Sequence, residues 1–330
     1  MSAVLHPVSL NPVRPVKQRR WLWRALSLAL LLVPCLGGVI YWRPLWIVEE
    51  TTRAWLRVAG VRSKYVQLGS FRVHYFVGGR GQPLVLVHGM GGEAENWARL
   101  MPGLMRHGHQ VYAIDLLGFG RSDRPDVDYS IACQAAILNQ FFDSQNLARA
   151  DLGGWSMGGW VALKFALEHP ERVRRIFVAD SAGIMFMPPF DLALFQPSTT
   201  DQAQRLLVLL MPQARPIPRF VARDVVRRMR PTRWVVQRAT KSMMAGGDLL
   251  DGKLSDIHGP VLIVWGKQDA LIPVACGEEI HRQIPQSVFE IFDRCGHLAL
   301  AECSHRVLPQ ILQFLESEPP LPSSVHEFPR

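Results

Sequence analysis

The residues GWSMG at positions 154–158 fit the pattern G-x-S-x-G, and they stand where a short strand should turn sharply into a helix. A serine at such a turn sits on a strained backbone that lifts its hydroxyl out of the sheet, and small residues on either side let the strand and the helix pass closely. Gly154 and Gly158 occupy those two places. The pattern therefore predicts that Ser156 is a nucleophile at a strand–turn–helix junction.

Strand and helix patterns alternate on both sides of this turn. Apolar runs that suit strands covered on both faces are PLVLVH (83–88), QVYAID (110–115), RIFVAD (175–180), VLIVW (261–265) and VFEIF (288–292), and RVHYFV (72–77) alternates as an earlier strand. Helical patterns cover 131–146, 160–168 and 304–315. The alternation predicts an α/β fold with a mostly parallel central sheet flanked by helices.

A serine nucleophile needs a base and an acid that orients the base. On this arrangement they should follow the serine in the order Asp or Glu, then His. Asp269 comes just after VLIVWG and His297 just after VFEIFDRCG, so both stand at predicted carboxyl ends of strands, where open α/β sheets place their sites. We predict Ser156, Asp269 and His297 as the catalytic residues, with Asp180, which also ends a strand, as the alternative acid.

The loop HGMGG at 88–92 follows a buried strand and is rich in glycine. Such a loop lets backbone N–H groups face a small anion, so the N–H groups of Met90 and Met157 are predicted to form an oxyanion hole. His88 and Gly89 are expected to be structural, with His88 holding the loop by hydrogen bonds. No Cys/His spacing resembles a metal site, and none is predicted.

Taken together, the motifs resemble those of an α/β-hydrolase of the serine esterase/lipase branch. In the order of that family they are LVLVHGMGG with Trp97 downstream, DLLGFGRSDRP, GWSMGG, VWGKQDALIP and CGHLALAE, spread over residues 64–316. The strand before the serine, ARADLGGW, is less β-branched than usual. The resemblance implies the α/β-hydrolase fold, Ser156 as nucleophile, His297 as base and Asp269 as acid, with no cofactor. An aspartate at the elbow, as in epoxide hydrolases and dehalogenases, is absent.

In that family the segment after the sixth strand forms a helical cap over the nucleophile, and here residues 183–255 fit that place. The segment holds eleven Lys/Arg against five Asp, a net charge of 11 − 5 = +6. Around 219–230 arginines interleave with apolar residues, so they are either solvated or in contact with anionic lipid headgroups. The apolar stretches 184–187 and 206–211 are expected to line a tunnel for an acyl chain.

The N-terminal part of the chain holds much of its charge. Of a net +9, residues 1–57 contribute eight Lys/Arg against two Glu, or +6. No zinc finger or aromatic RNA-binding motif accompanies them, so nucleic acid is excluded as a partner. Residues 25–42 carry no formal charge and as a helix would nearly span a bilayer, which favours a retained membrane anchor over a cleaved signal peptide.

More basic residues precede the apolar segment than follow it, so the N-terminus is predicted to be cytoplasmic and the large domain periplasmic or extracellular, on the inner (plasma) membrane. The residues 46–59 form an interfacial helix or pack on the domain. A disulfide among Cys133, Cys276, Cys295 and Cys303 is open, because spacing does not select a pair.

The predicted organisation is a basic segment (1–24), a transmembrane anchor (25–47), a juxtamembrane linker or helix (48–63), the core in two parts (64–182 and 256–318), the cap (183–255) and a flexible tail (319–330). With its anchor, the chain is most similar to membrane-bound monoacylglycerol lipases and bacterial membrane-anchored phospholipases A. The predicted function is hydrolysis of lipid carboxylic esters through an acyl-enzyme. The alternatives are a C–C bond hydrolase or thioesterase, and a catalytically idle tethered binding protein.

Overall fold

Apolar side chains fill the central strands, and the sheet that these strands form carries the site. The computed structural model describes residues 18–319 and 322–329. Within them one sheet has nine strands: β1 (Arg62–Leu68), β2 (Phe71–Gly79), β3 (Gln82–Val87), β4 (His109–Ile114), β5 (Ala150–Trp155), β6 (Val173–Ala179), β7 (Val261–Gly266), β8 (Ser287–Phe292) and β9 (Ser324–Phe328).

The order of the strands across the sheet is β1-β2-β4-β3-β5-β6-β7-β8-β9. β2 is antiparallel to both β1 and β4, and all other neighbours are parallel. Every residue of β5 and β7 is buried, as strands covered by helices on both faces require. The predicted α/β-hydrolase fold with a mostly parallel sheet is confirmed.

Eleven α-helices of the described residues surround the sheet: α1 (Gln18–Trp42), α2 (Pro44–Val58), α3 (Met101–Arg106), α4 (Ile131–Ser144), α5 (Met157–Glu168), α6 (Thr200–Leu210), α7 (Arg219–Met229), α8 (Arg233–Met244), α9 (Val274–Gln283), α10 (Ala299–Glu302) and α11 (Ser304–Glu316). Side chains alternate between the two faces of a strand. In β3, Leu84 and Leu86 accordingly enter one apolar core, whereas Val85 and Val87 enter the other.

Three helices, α6, α7 and α8, lie between β6 and β7, and we refer to residues 183–255 as the insertion. The arginines around 219–230 of the insertion were expected to be solvated or to face lipid headgroups. Two of them instead form salt bridges within the chain, Arg227 with Asp224 and Arg228 with Glu49. The headgroup hypothesis therefore does not fit these two side chains.

The N-terminal residues differ from the prediction of a membrane-spanning anchor at 25–47. The helix that forms there, α1, starts at Gln18 and so includes Arg19, Arg20 and Arg24 as well as the uncharged stretch. Nowhere in the described parts of the chain is a helix both long enough and apolar enough to cross a bilayer. The basic segment at 1–24 lies outside the described residues as far as residue 17.

The helix predicted around 46–59 is α2, and it packs on the domain. Its Leu56 is fully buried in the core that also contains Phe76 and Trp97. Of the two interpretations left open by the sequence, this packing is the one that the structure favours. Its outer face nevertheless keeps large apolar side chains exposed, among them Trp46 and Trp55.

The C-terminal tail was expected to be flexible, and this prediction is wrong for residues 324–328. They form β9, which pairs in parallel with the edge strand β8. The Phe328 ring stacks on Phe292, with ring centroids 4.8 Å apart, and the Arg306 guanidinium donates to the backbone oxygen of Pro329 at 2.8 Å. These long-range contacts give the short segment the partners that its own sequence does not suggest.

Candidate active site

Ser156 lies between the end of β5 and the first residue of α5. Its backbone has φ 55° and ψ −123°, a region that residues with a Cβ rarely occupy. The strand and helix approach each other so closely that a Cβ on Gly154 would lie 2.4 Å from the oxygen of Gly158. A Cβ on Gly158 would in turn lie 2.1 Å from the oxygen of Val87. Only glycine fits either position, which is why the motif has the spacing it has.

One chain of hydrogen bonds joins Ser156, His297 and Asp269. The Nε2 of His297 lies 2.9 Å from the Ser156 Oγ, and its Nδ1 lies 2.8 Å from Asp269 Oδ2. The other carboxylate oxygen of Asp269 accepts hydrogen bonds from the backbone N–H groups of Leu271 and Ile272 at 2.7 and 2.9 Å. A carboxylate held in this way stabilises the imidazole tautomer that carries its proton on Nδ1. Nε2 is then free to accept the serine proton.

The site is also shielded from water. Ser156 is 7% exposed and His297 is 2% exposed. Ionic interactions and hydrogen bonds in so dry a place are stronger than in solvent. The arrangement can therefore transfer a proton from the serine hydroxyl to the imidazole as the oxygen attacks a carbonyl carbon.

The loop that carries His297 is held from three sides. Trp155 Nε1 donates to the backbone oxygen of His297 at 2.8 Å, and the backbone N–H of Gly296 donates to Glu302 Oε1 at 3.0 Å. A disulfide joins Cys295 to Cys303 and encloses the loop. The sequence left the choice of cysteines open, and the structure selects this pair while Cys133 and Cys276 are free.

Asp180, the alternative acid, lies at the end of β6 and is fully buried. Its Oδ1 accepts a hydrogen bond from the backbone N–H of Gly266 at 2.8 Å, and the described contacts include none between Asp180 and His297. Burial and the neighbouring Asp269 carboxylate raise the pKa of Asp180 well above its ordinary value. The geometry thus brings Asp269, and not Asp180, to the histidine.

The loop after β3 faces the serine. A Cβ on Gly89 would lie 2.9 Å from the Cβ of Ser156, so the backbone passes directly beside the hydroxyl. Met90 and Met157 line the same cavity as Ser156. Because Met157 is the first residue of α5, its N–H has no partner within the helix and can point at an anion.

His88 fixes this loop and is fully buried. Its Nδ1 lies 2.7 Å from the backbone oxygen of Gly89, and the backbone N–H of Leu116 donates to Nε2 at 3.0 Å. With one ring nitrogen accepting, the other must carry the proton, so the ring is neutral. Burial lowers the pKa of His88, in agreement with that assignment.

A group of charged residues behind the loop was missed by sequence analysis. Glu95 is mostly buried and binds Arg53 of α2 at 2.8 Å and Arg121 at 2.9 Å. Burial and the carboxylates of Glu95 and Asp115 raise the pKa of Glu93 to about 7. Arg53, Asp115 and Arg121 are far from the two glutamates in the chain and form no motif with them, so only the fold could reveal the group.

A cavity of about 410 Å³ opens over Ser156. The sheet side supplies Trp155, Met157, Leu271 and Leu298, and the insertion supplies most of the rest. From the two predicted tunnel stretches the lining residues are Ile184, Met185, Phe186, Leu206, Leu207 and Leu210. Met187, expected among them, is instead 86% exposed.

No Lys, Arg, Asp or Glu is among the described residues that line the cavity. Its polar side chains are those of Ser156, His297, Asn96 and Thr240. In the part of the chain that the structure describes, no three His, Cys, Asp or Glu side chains are grouped as a metal ion would need. The cavity therefore suits an uncharged, largely apolar ligand.

Comparison with known proteins matches the chain to one family. A model of the alpha/beta hydrolase family matches residues 84–310. A 2-hydroxy-6-oxononadienedioate/2-hydroxy-6-oxononatrienedioate hydrolase of Burkholderia vietnamiensis is 30% identical over 280 residues, which are 77% of this chain and 95% of that protein.

Two solved structures are also similar over most of the chain. A membrane phospholipase A, described as a bacterial virulence factor, is 27% identical with a TM-score of 0.75, over 89% of this chain and 98% of that one. A candidate lipase of Acinetobacter baumannii is 27% identical with a TM-score of 0.73, over 81% of this chain and 95% of that one. The named activities share hydrolysis but differ in the bond that is broken.

Proposed function

Because this chain belongs to the alpha/beta hydrolase family, we propose that it is a serine hydrolase that cleaves carboxylic esters of apolar acyl chains. The substrate class is a lipid ester such as a monoacylglycerol, a lysophospholipid or a phospholipid. The observation that carries the proposal is the apolar cavity over Ser156, which contains no charged side chain among its described lining residues.

The proposed reaction proceeds through an acyl-enzyme. Ser156 Oγ attacks the ester carbonyl carbon while its proton passes to His297 Nε2, and Asp269 stabilises the imidazolium. The N–H groups of Met90 and Met157 bind the oxyanion, where one donor is typically worth about 3 kcal/mol to the transition state. The C–O bond then breaks and the alcohol leaves with the proton from His297. Water repeats the steps on the acyl-enzyme, releasing the fatty acid and restoring the serine.

The second candidate function is hydrolysis of a C–C bond, which the 30% identity to the Burkholderia enzyme favours. The substrate in that enzyme's name is a dioate, and therefore carries two carboxylates. Burying an unpaired carboxylate costs several kcal/mol, and the cavity described here offers no cation to pair with it. The absence of charge in the lining thus favours the ester over the dienoate.

A panel of substrates tests the choice. Purified protein and its Ser156→Ala variant would be assayed on p-nitrophenyl esters from butyrate to dodecanoate, on phospholipids and on a 2-hydroxy-6-oxo-dienoate. We expect ester hydrolysis that depends on Ser156, and kcat/KM at least about 100-fold lower for the dienoate, which corresponds to about 3 kcal/mol. Preference for the dienoate would replace the proposal with C–C hydrolysis, and no turnover by folded protein would favour a binding protein.

We also propose that the protein works at a lipid surface, attached through its N-terminal helices, on the periplasmic or extracellular side. The exposed tryptophans Trp42, Trp46 and Trp55 support the first part, since such rings prefer membrane interfaces. The disulfide between Cys295 and Cys303 supports the second, because disulfides persist in oxidising compartments.

A further inference from the structure

The helix α7 has two neighbours with different roles. Val225 and Met229 of α7 line the cavity over Ser156. Other residues of the same helix contact the N-terminal helices α1 and α2, which precede the hydrolase core in the chain. Whatever fixes α7 against α1 and α2 therefore also fixes part of the cavity wall.

The contacts follow a regular spacing. Tyr41 stacks on Phe220, with ring centroids 5.6 Å apart and planes 21° from parallel. Four residues later in both segments, the backbone N–H of Leu45 donates to Asp224 Oδ2 at 3.0 Å, between residues 179 apart in sequence. Four residues further still, Glu49 pairs with Arg228. This repeat of four residues is the spacing of neighbours along one helix face, and we call these three contacts the seam.

Asp224 completes a helix that has no cap of its own. Arg43, at the N-cap of α2, makes no side-chain capping hydrogen bond, so the first N–H groups of the helix need another acceptor. Asp224 supplies it while being only 2% exposed, and its charge faces the positive end of the helix dipole. A buried carboxylate with these partners has a specific place, and it comes from the insertion.

Beyond Glu49 the charges continue into the core. Arg53, one turn further along α2, lies 3.7 Å from Glu49 and 2.8 Å from Glu95. Glu95 follows the loop 88–92 that passes beside Ser156. The helix α2 thus connects the insertion on one side to the loop at the active site on the other.

We propose that the seam holds α7 over the cavity, and that Glu49, Asp224 and Arg228 are positioning residues for substrate entry. When the seam is broken, α7 moves away and the cavity loses the apolar wall formed by Val225 and Met229. A long acyl chain needs that wall, whereas a short ester reacts close to Ser156 without it. The inference rests on the proposed ester hydrolysis only for its kinetic measurement.

A charge exchange tests the pair Glu49–Arg228. The variants are Glu49→Arg, Arg228→Glu and the double variant with both changes, in the full chain. Arg230→Glu is the matched control, because Arg230 is exposed and forms no salt bridge with any residue that the structure describes. Hydrogen exchange of the α7 amides measures the seam directly, and kinetics on p-nitrophenyl acetate and decanoate measure its effect.

We expect each single reversal to speed hydrogen exchange in α7. It should also raise KM for the decanoate about fivefold, the effect expected from the loss of one partly buried ion pair. Hydrolysis of the acetate should change less than twofold. The double variant should recover part of both effects, because the exchange restores the Glu–Arg pair but leaves position 49 with the same charge as its neighbour Arg53. Arg230→Glu should change neither. Unchanged α7 exchange in the single variants, or a double variant that exchanges as fast as they do, would overturn the seam.

Two further outcomes are also decisive. If the single variants do not fold, a folded double variant supports the pairing and an unfolded one contradicts it. If the wild-type protein hydrolyses no ester, the proposed function fails, but hydrogen exchange still decides whether the seam holds α7.

Discussion

Asp269 and Asp180 end adjacent strands, yet their surroundings give them different chemistry. Asp269 accepts two backbone N–H groups and the imidazole of His297, so its charge is well satisfied. Asp180 accepts one backbone N–H, and burial beside Asp269 raises its pKa. Two buried carboxylates so near each other resist ionising together. The carboxylate held in place against His297 is therefore that of Asp269, whereas burial and the neighbouring carboxylate raise the pKa of Asp180.

This difference predicts unequal effects of the same substitution. Asp269→Asn should lower kcat by about 10⁴, because the amide no longer holds the imidazole in the correct tautomer. Asp180→Asn should lower it less than tenfold, since the neutral amide keeps an acceptor for Gly266. Turnover of a p-nitrophenyl ester measures both, with circular dichroism as the check of folding. A greater loss at Asp180 would reverse the assignment.

Like Asp269, the disulfide between Cys295 and Cys303 helps to hold His297, because it closes the loop that carries this residue. Closing a loop of this length stabilises a fold by roughly 2–3 kcal/mol in chain-entropy terms. Cys303→Ser should therefore lower the free energy of unfolding by about that amount and reduce kcat, while Cys133→Ser, at a free cysteine, should change neither. Thermal melting with and without reductant provides the measurement. Equal melting in both conditions would contradict a stabilising bridge.

At the scale of elements, the sequence predicts what local pattern controls. Strands such as β3 and β7 show continuous apolar runs because both of their faces are buried. β1 and β9 have mostly exposed or half-buried residues, so they show no continuous apolar run. β9 depends on Phe292 and Arg306, and the α2–α7 contact on residues 179 apart, so neither has a local signature.

The same distinction applies to the residues of the candidate site, some of which have a local sequence pattern and some of which do not. Ser156, Asp269 and His297 could be found because each stands at a strand end within a motif. The hydrogen bond from Trp155 to the His297 oxygen and the ion pairs of Glu95 could not, because nothing in the sequence places their partners nearby.

Glu290 of β8 makes one element sensitive to pH. It is buried, and burial raises its pKa to about 7 from an ordinary value of 4.5. The folded state therefore binds this proton more tightly than the unfolded state. Its contribution is full below pH 4.5 and is lost as the pH rises through about 7.

Glu290→Gln should remove that dependence, because the amide keeps the shape without the charge. From pH 5 to pH 8 the wild-type protein should lose up to about 3 kcal/mol of unfolding free energy relative to the variant. Urea unfolding at several pH values measures the difference. Parallel curves for the two proteins would show that Glu290 is not the titrating group.

The whole molecule combines a large positive charge with an exposed apolar N-terminal surface. The net +9 suggests attraction to anionic lipid. In the fold, however, Arg227 and Arg228 are paired internally, and the Arg223 guanidinium lies 5.3 Å from the centre of the Tyr41 ring. Arg223 and Arg228 contact the N-terminal helices, and Arg227 pairs with Asp224 within α7, so we expect any membrane contact to depend on other side chains.

We propose that the exposed tryptophans of α2 are those side chains. Trp46→Ser with Trp55→Ser should weaken hydrolysis of phospholipid in vesicles at least tenfold and leave p-nitrophenyl butyrate unaffected. Half of each ring is exposed, and its burial in lipid is worth about 2 kcal/mol. Changing Arg223, Arg227 and Arg228 together to Glu should instead impair hydrolysis of phospholipid in vesicles and of p-nitrophenyl decanoate in solution, because α7 is no longer held against α1 and α2. Vesicle sedimentation of the tryptophan variant and of the arginine variant measures lipid binding separately from turnover. If the tryptophan variant lost activity on the soluble ester as well, α2 would serve the fold alone, and attachment to lipid would have to lie within the residues before it.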